Sequence, residues 1–154
     1  MTVLSPDEVE KRKPASPGGT PVLHADTTGS TNADAMVHVE VGEIGPLWIH
    51  ADQQTEGRGR SGRQWMGARG NLHASFFTTF KCSLQAAAQL SLIAGVALIE
   101  AVRNFSAEDG ATDHWADRDL RLKWPNDLIC DGAKLGGVLI ETTALAADDT
   151  ERAV

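Results

Sequence analysis

Alternation and helical spacing mark out most of the chain. Val22–Ala25 is a short strand candidate. Ser30 or Thr31 then caps a helix that runs to about Val39, with Asp34 in its first turn. Leu47–Asp52 carries β-branched and aromatic residues and reads as a strand. So does Leu72–Lys81, which alternates into Phe76, Phe77 and Phe80. Leu84, Ala88, Leu92, Gly95, Leu98/Ile99 and Val102 fall at helical spacing and predict a helix over about 84–104. Leu120–Lys123 is a strand that Pro125 must interrupt or end. Leu128–Cys130 and Leu135–Thr142 flank Asp131-Gly132, a hairpin signal of type I′, because both turn positions need positive φ. Strand-rich stretches with two helices predict an α+β fold: a mixed, largely antiparallel sheet with helices packed on one face.

The segments without a period are equally informative. Residues 1–21 hold Pro6, Pro14, Pro17, Gly18, Gly19 and Pro21 and read as a flexible tail, leaving 22–154 as the domain. Residues 53–71 contain five glycines and no hydrophobic repeat, so a long loop is expected. Residues 106–119 are acidic and turn-like, and the last dozen, rich in Ala and Asp, have no strong pattern.

At 154 residues the chain fits one domain, and a domain of that size buries roughly 70% of its unfolded surface. With 42% hydrophobic and 23% charged residues, wholesale disorder is excluded. The apolar run from Leu84 to Val102 is broken by Gln85, Gln89, Ser91 and Glu100 and is not read as a membrane span. The N-terminus has no apolar core of a secretory signal. Cys82 and Cys130 are too few for a disulfide framework and lack metal-ligand spacing, so no metal site is expected. These features predict a soluble protein of a reducing compartment, the cytoplasm.

The net charge of −7 argues against general nucleic-acid binding. It is unevenly spread. Residues 56–69 carry Arg58, Arg60, Arg63 and Arg69 against Glu56, net +3, so the rest of the chain sums to −10. Local arginine on an acidic chain suggests a small anionic ligand.

That arginine lies in a run reading GRGRSGRQW, residues 57–65. Gly57-x-Gly59-x-x-Gly62 matches a dinucleotide fingerprint after a strand, but the residues following Gly62 make a poor helix, which that fold requires. The Walker A resemblance fails too, because Arg63-Gln64 stands where Lys-Ser/Thr should. The chemistry still suits phosphate. Glycine lets amides approach an anion, and arginine binds phosphate oxygens bidentately. Alone, the run would read as a solvated basic loop. An arginine–glycine RNA-binding segment is weakened by the acidic chain and the lack of repetition.

Three more clusters stand out. Lys123-Trp124-Pro125-Asn126-Asp127 packs a lysine, a rigid turn, an amide and a carboxylate together. By itself it is an ordinary strand end. Lys134-Leu135-Gly136-Gly137-Val138-Leu139-Ile140-Glu141 opens a strand with paired glycines, a sign of a bulge or of close ligand approach. Ser30-Thr31-Asn32 sits at a helix start, where such residues usually cap.

The combination is more specific than its parts. GRGRSGRQW, KWPND and KLGGVLIE, in this order and about 60 and 10 residues apart, with STN upstream, resemble the catalytic domain of the biotin protein ligases from about Leu23 to Thr142. The resemblance implies a mixed sheet flanked by helices. It implies an enzyme that joins biotin to ATP as biotinyl-5′-adenylate, releasing pyrophosphate, with Mg²⁺ sharing the phosphate charge. Biotin would then pass to a lysine of a biotin carboxyl carrier protein domain. Carried over by motif, Ser30, Thr31, Asn32 and Gln54 would bind biotin. Arg58, Gly59 and Arg60 would fold over the adenylate, Arg63 would meet the leaving phosphates, and Trp65 would help close the lid. Lys123 would bridge the biotin carboxylate and the α-phosphate, making Lys123, Arg58 and Arg60 the catalytic set. Asn126, Gly136 and Gly137 complete the implied binding residues. The lipoate ligases share the architecture but lack the arginine–glycine loop.

The chain departs from that pattern in places. Ser61 stands where a further arginine is common, and Glu56 where a small residue is common. The family continues past KLGGVLIE into further strands and a small β-barrel, so the chain is expected to be a truncated domain whose Leu135–Thr142 edge is open. Self-association, a homodimer being one form of it, is expected for such an edge. No DNA-binding module is expected, since only about 20 residues precede the domain. Two other readings stay open: a non-catalytic relict that binds biotin or adenylate, and an NAD-dependent redox enzyme using the glycine loop.

Overall fold

The structure is a computed structural model that describes residues 18–108, 118–144 and 151–153. The elements, in chain order, are β1 (Val22–Ala25), α1 (Thr31–Glu40), β2 (Leu47–Ala51), a short 3₁₀ turn (Arg60–Gly62), β3 (His73–Phe77), β4 (Thr79–Lys81), α2 (Leu84–Glu108), β5 (Leu120–Lys123), β6 (Asp127–Cys130), β7 (Ala133–Gly137), β8 (Thr143–Ala144) and β9 (Glu151–Ala153). The fold is α+β, as expected. Among the described residues the strands form three small sheets, ordered β1-β2-β3, β4-β9-β8 and β5-β6-β7, where one mixed sheet was predicted. Two compact units result. The described residues of 1–83 and 141–154 make one, and those of 84–140 the other.

In the first unit β1 and β2 run parallel, with Val22 opposite Trp48 and Ala25 opposite Ala51. Parallel neighbours need a crossover, and α1 supplies it. Ser30 is the N-cap: its φ of −160° is extended, and its side chain accepts from the Ala33 amide. β3 returns antiparallel to β2. The α1 side of this sheet is the core: Leu23, Ala35, Val39, Leu47, Ile49 and Phe77 are buried together. Complete burial of a side chain such as Ile49 contributes about 1.5–3 kcal/mol.

The predicted Leu72–Lys81 strand is two strands. β3 pairs with β2, whereas β4 leaves that sheet to pair with β9. The patternless tail was misjudged: Glu151–Ala153 pairs with Thr79–Lys81 on one side and with Thr143–Ala144 on the other. Short strands held by neighbours on both sides need no hydrophobic alternation of their own.

In the second unit α2 packs on β5 and β6. It runs to Glu108, past the predicted end near residue 104 and into part of the stretch read as turn-like; the rest of the expected acidic turn, 109–117, lies outside the described residues. The predicted apolar stripe is partly misplaced. Ala87 and Gly95 are buried, while Leu84 is 62% and Leu92 40% exposed. The contact that sets the face is Gly95, where an added Cβ would lie 2.8 Å from a Leu122 methyl. Leu84–Asn104 is also long and apolar enough, by length and composition, to cross a membrane. In this fold it is a helix laid on a sheet.

The β6–β7 hairpin turns at Asp131 and Gly132, with φ of 50° and 82°, the predicted positive pair. β7 is Ala133–Gly137; residues 138–142 are not strand, contrary to the expected Leu135–Thr142. The flexible tail predicted over 1–21 lies outside the described residues up to 17, and residues 18–20 precede β1 as turn and coil.

Gly45 tests this packing. Its φ is +69°, and an added Cβ would sit 2.5 Å from the Phe77 carbonyl oxygen. Gly45→Ala is expected to lower stability by at least about 1 kcal/mol, read as a shift of the urea midpoint at unchanged slope.

Candidate functional site

The polar residues at the start of α1 are buried. Thr28 is 4%, Ser30 5%, Thr31 3% and Asp34 2% exposed. Buried hydrogen-bonding groups must be satisfied, and these are. The Thr31 amide donates to Gln54 Oε1 at 2.9 Å, and its hydroxyl reaches the same oxygen at 3.1 Å. Thr31 Oγ1 also lies 2.8 Å from Ser75 Oγ. Ser75 donates to Asn32 Oδ1 at 2.8 Å, and Asn32 Nδ2 donates to Glu141 Oε2 at 2.6 Å. Thr28 donates to Asp34 Oδ2 at 2.6 Å.

Three parts of the chain supply the Thr31, Asn32, Ser75 and Gln54 members of this cluster. Asn32 and Thr31 come from the first turn of α1, Ser75 from β3, and Gln54 from the chain leaving β2. Residues past β2 remain tied to the loop before α1: the Thr55 amide donates to the Thr28 carbonyl at 3.0 Å and the Glu56 amide to the Gly29 carbonyl at 2.8 Å. Gln54 bridges both Thr28 and Gly67. The expected biotin residues Thr31, Asn32 and Gln54 are therefore brought together. Ser30 belongs to the same turn, but its side chain caps the helix.

Ser75 was missed. It occupies the buried phase of a strand whose residues His73, Ser75 and Phe77 all face inward. A small polar residue in the core phase was the available signal. Glu141 gave no comparable signal, because its partner Asn32 lies 109 residues away along the chain.

Within the expected long loop over 53–71, the glycine–arginine run is folded as a hairpin. The Trp65 amide donates to the Gly57 carbonyl at 2.8 Å, Arg58 and Gln64 form a bridge, and the Gly59 amide donates to the Arg63 carbonyl at 2.7 Å. It turns at Ser61 and Gly62, with φ of 58° and 70°. An added Cβ on Gly57 would lie 2.6 Å from the Trp65 carbonyl oxygen, so glycine is required there. Arg58, Arg60 and Arg63 are all exposed, and Trp65 is half-buried. Exposed ion pairs add little stability, so three solvated guanidinium forks on one hairpin are better suited to an anion than to holding the fold.

In the second unit, Lys123 ends β5, exposed, and Trp124 is 76% exposed. Asn126 ties the turn down: its side-chain amide donates to the Val138 carbonyl at 2.9 Å, and its carbonyl accepts from the Val138 amide at 2.9 Å. Lys134 pairs with Asp127 at 2.6 Å. An added Cβ on Gly137 would come 3.3 Å from the Asn126 carbonyl oxygen, whereas one on Gly136 would meet nothing within 4 Å. Gly137 is thus tightly packed and Gly136 is not.

These geometries can be set beside known proteins. A family model described as "Biotin/lipoate A/B protein ligase family" matches residues 36–151. The chain belongs to the biotin/lipoate A/B protein ligase family. A biotin–[acetyl-CoA-carboxylase] ligase of Paracoccus denitrificans is 38% identical over 116 residues, covering 75% of this chain and 45% of that protein. The human biotin–protein ligase is 31% identical over 133 residues, covering 82% of this chain and 17% of its own length. A crystal structure of the Leishmania major biotin protein ligase in complex with biotinyl-5-AMP superposes with a TM-score of 0.67 at 29% identity, covering 86% of this chain and 54% of that one. This member of the family therefore spans about half the length of such relatives, or less.

Asp34 gives the site a measurable signature. Burial pushes its carboxyl above the ordinary 3.8, opposed by the Thr28 hydrogen bond and by His38. A raised folded-state pKa contributes stability below 3.8 that is lost as pH rises through the folded value. Asp34→Asn keeps an acceptor for Thr28 but cannot ionise. Its melting temperature should gain on the wild type as pH rises from below 3.8 to neutrality; thermal melts across that range check it.

Proposed function

We propose that this chain carries the biotin-activating part of an ATP-dependent biotin–protein ligase. The observation that carries the reading is the partly buried Thr31–Gln54–Ser75–Asn32 network beside a hairpin bearing exposed Arg58, Arg60 and Arg63. A ureido ring offers one carbonyl and two N–H groups, and the network offers hydroxyls and amides of both polarities. The arginine forks suit the phosphates of a nucleotide.

In this reading the biotin carboxylate oxygen attacks the α-phosphorus of ATP. The bond to the β-phosphate bridge breaks and pyrophosphate leaves. A carrier-domain lysine amine then attacks the acyl carbon, forming the amide and expelling AMP. The first step brings two anions together, so positioning and charge stabilisation supply most of the acceleration. Arg58 and Arg60 bind and cover the adenylate, with the Gly59 backbone between them. Arg63 takes the leaving phosphates, and Trp65 helps to exclude water, which would hydrolyse the mixed anhydride. Lys123 receives its role, neutralising the carboxylate and α-phosphate, from the Lys123–Asp127 motif. Ser30 and Asn126 act by holding the helix start and the turn; Gly136 leaves room for a ligand, and Gly137 packs beside it.

Mg²⁺ is a hard ion that takes oxygen ligands. Among the described residues, the one group of three candidate ligands within reach of one another, His24, His50 and Asp52, is nitrogen-rich and does not suit it. We therefore assign Mg²⁺ to the substrate, entering on the triphosphate. The acceptor is a biotin carboxyl carrier domain, and the compartment the cytoplasm.

Incubation with biotin and α-labelled ATP tests the proposal through formation of labelled biotinyl-adenylate. Lys123→Ala should leave the fold intact, since the side chain is exposed, and should cut adenylate formation by at least about a hundredfold. Wild-type rates in that variant would remove Lys123 from the mechanism. Arg60→Gly should instead release adenylate faster, read as biotin appearing on unrelated lysines of a bystander protein. Unchanged retention of the intermediate would remove Arg60 as its cover.

A further inference from the structure

On the sheet face turned away from α1, two histidines and a carboxylate converge outside the site described above. His24 of β1 and His50 of β2 are direct partners in the parallel register. Their rings stack with centroids 5.1 Å apart and planes 23° from parallel. Asp52 lies two residues beyond His50, and two-residue spacing returns a side chain to the same face of an extended chain. Its amide donates to the Ala25 carbonyl at 3.1 Å, which continues the β1–β2 pairing past the end of the strand. His24 Nε2 lies 2.8 Å from Asp52 Oδ1. One ligand atom from each of the three residues lies within 4.8 Å of the others, and all three residues are half-buried.

We infer that His24, His50 and Asp52 form a binding site for a borderline divalent transition ion, Zn²⁺ being the best fit. Two imidazoles and one carboxylate are a ligand set of this class, and the half-buried position leaves water access for a fourth ligand. A tetrahedral zinc with bonds near 2.0–2.1 Å separates its ligand atoms by about 3.3 Å. The His24–Asp52 pair, at 2.8 Å, is already that close, and the His50 ligand atom lies within 4.8 Å of both, within reach of a small side-chain adjustment. Arg69 lies 4.0 Å from Asp52 Oδ2, so it faces the other carboxylate oxygen and leaves Oδ1 to the ion.

The ion would be structural. It links β1 to the residue following β2, two positions before Gln54. It thereby clamps the strand end from which the glycine–arginine hairpin departs. This site does not depend on the ligase reading, because its residues take no part in that mechanism.

The test uses the untagged full chain, stripped with chelator, titrated with Zn²⁺ by calorimetry and with Co²⁺ by visible absorption. One equivalent should bind, Co²⁺ should show the intense bands of a four-coordinate site, and Zn²⁺ should raise the melting temperature. His24→Gln, His50→Gln and Asp52→Asn should each weaken binding by more than about tenfold. Circular dichroism of each variant confirms that it is folded, and the near-isosteric Asp52→Asn guards against a misfolded histidine variant. Absence of binding, or binding of equal affinity in folded variants through Cys82, Cys130 or other histidines, would overturn the site.

Discussion

Gln54 is the residue on which the first unit turns. The first amide of a helix has no intrahelical partner, and here it is buried with its own side-chain hydroxyl. A single Gln54 carbonyl oxygen answers both. Leaving the amide unpaired would cost about 1–3 kcal/mol. The chain leaving β2 must therefore pass directly beside the start of α1, and the bridges from Gln54 to Thr28 and Gly67 record that path. The root of the arginine hairpin is fixed by the same demand.

The hairpin then follows from close approach. Gly57 admits the Trp65 carbonyl, and Gly67 admits the Gln54 backbone at distances no side chain would allow. What the turn exposes is charge. Its guanidinium groups stand on a chain that is otherwise strongly acidic, so the local field around the hairpin is opposite in sign to the net charge. A fold stabilised elsewhere, by the buried apolar cluster around Ile49, can present arginine without relying on it.

The Lys123–Asp127 motif divides its labour in a similar way. Asn126 and Asp127 are committed to structure, one to Val138 and the other to Lys134. Lys123, one turn earlier, is exposed. The motif thus places the Lys123 charge at the surface, with a scaffold that rigidifies the turn behind it. The paired glycines split likewise, Gly137 serving packing and Gly136 leaving space.

Several features were legible without a structure because their causes are local. The Ser30 cap, the α1 span, the positive-φ turn at Asp131-Gly132 and the family motifs all depend on neighbours within a few residues. The family itself was recognisable for the same reason. Other features depend on partners far along the chain. Ser75 joins the polar cluster only because Thr31 and Asn32 meet it across more than forty residues. β9 exists because β4 and β8 flank it, and the face of α2 is chosen by Leu122 against Gly95. His24 and His50 are unremarkable in the sequence and become ligands in register only when β1 and β2 pair in parallel. The sequence by itself determined the caps, turns, glycine positions and charge pattern, because backbone sterics and short-range hydrogen bonds act within a few residues. Only the tertiary structure decided which polar residues are buried together, because that depends on which distant strands become neighbours.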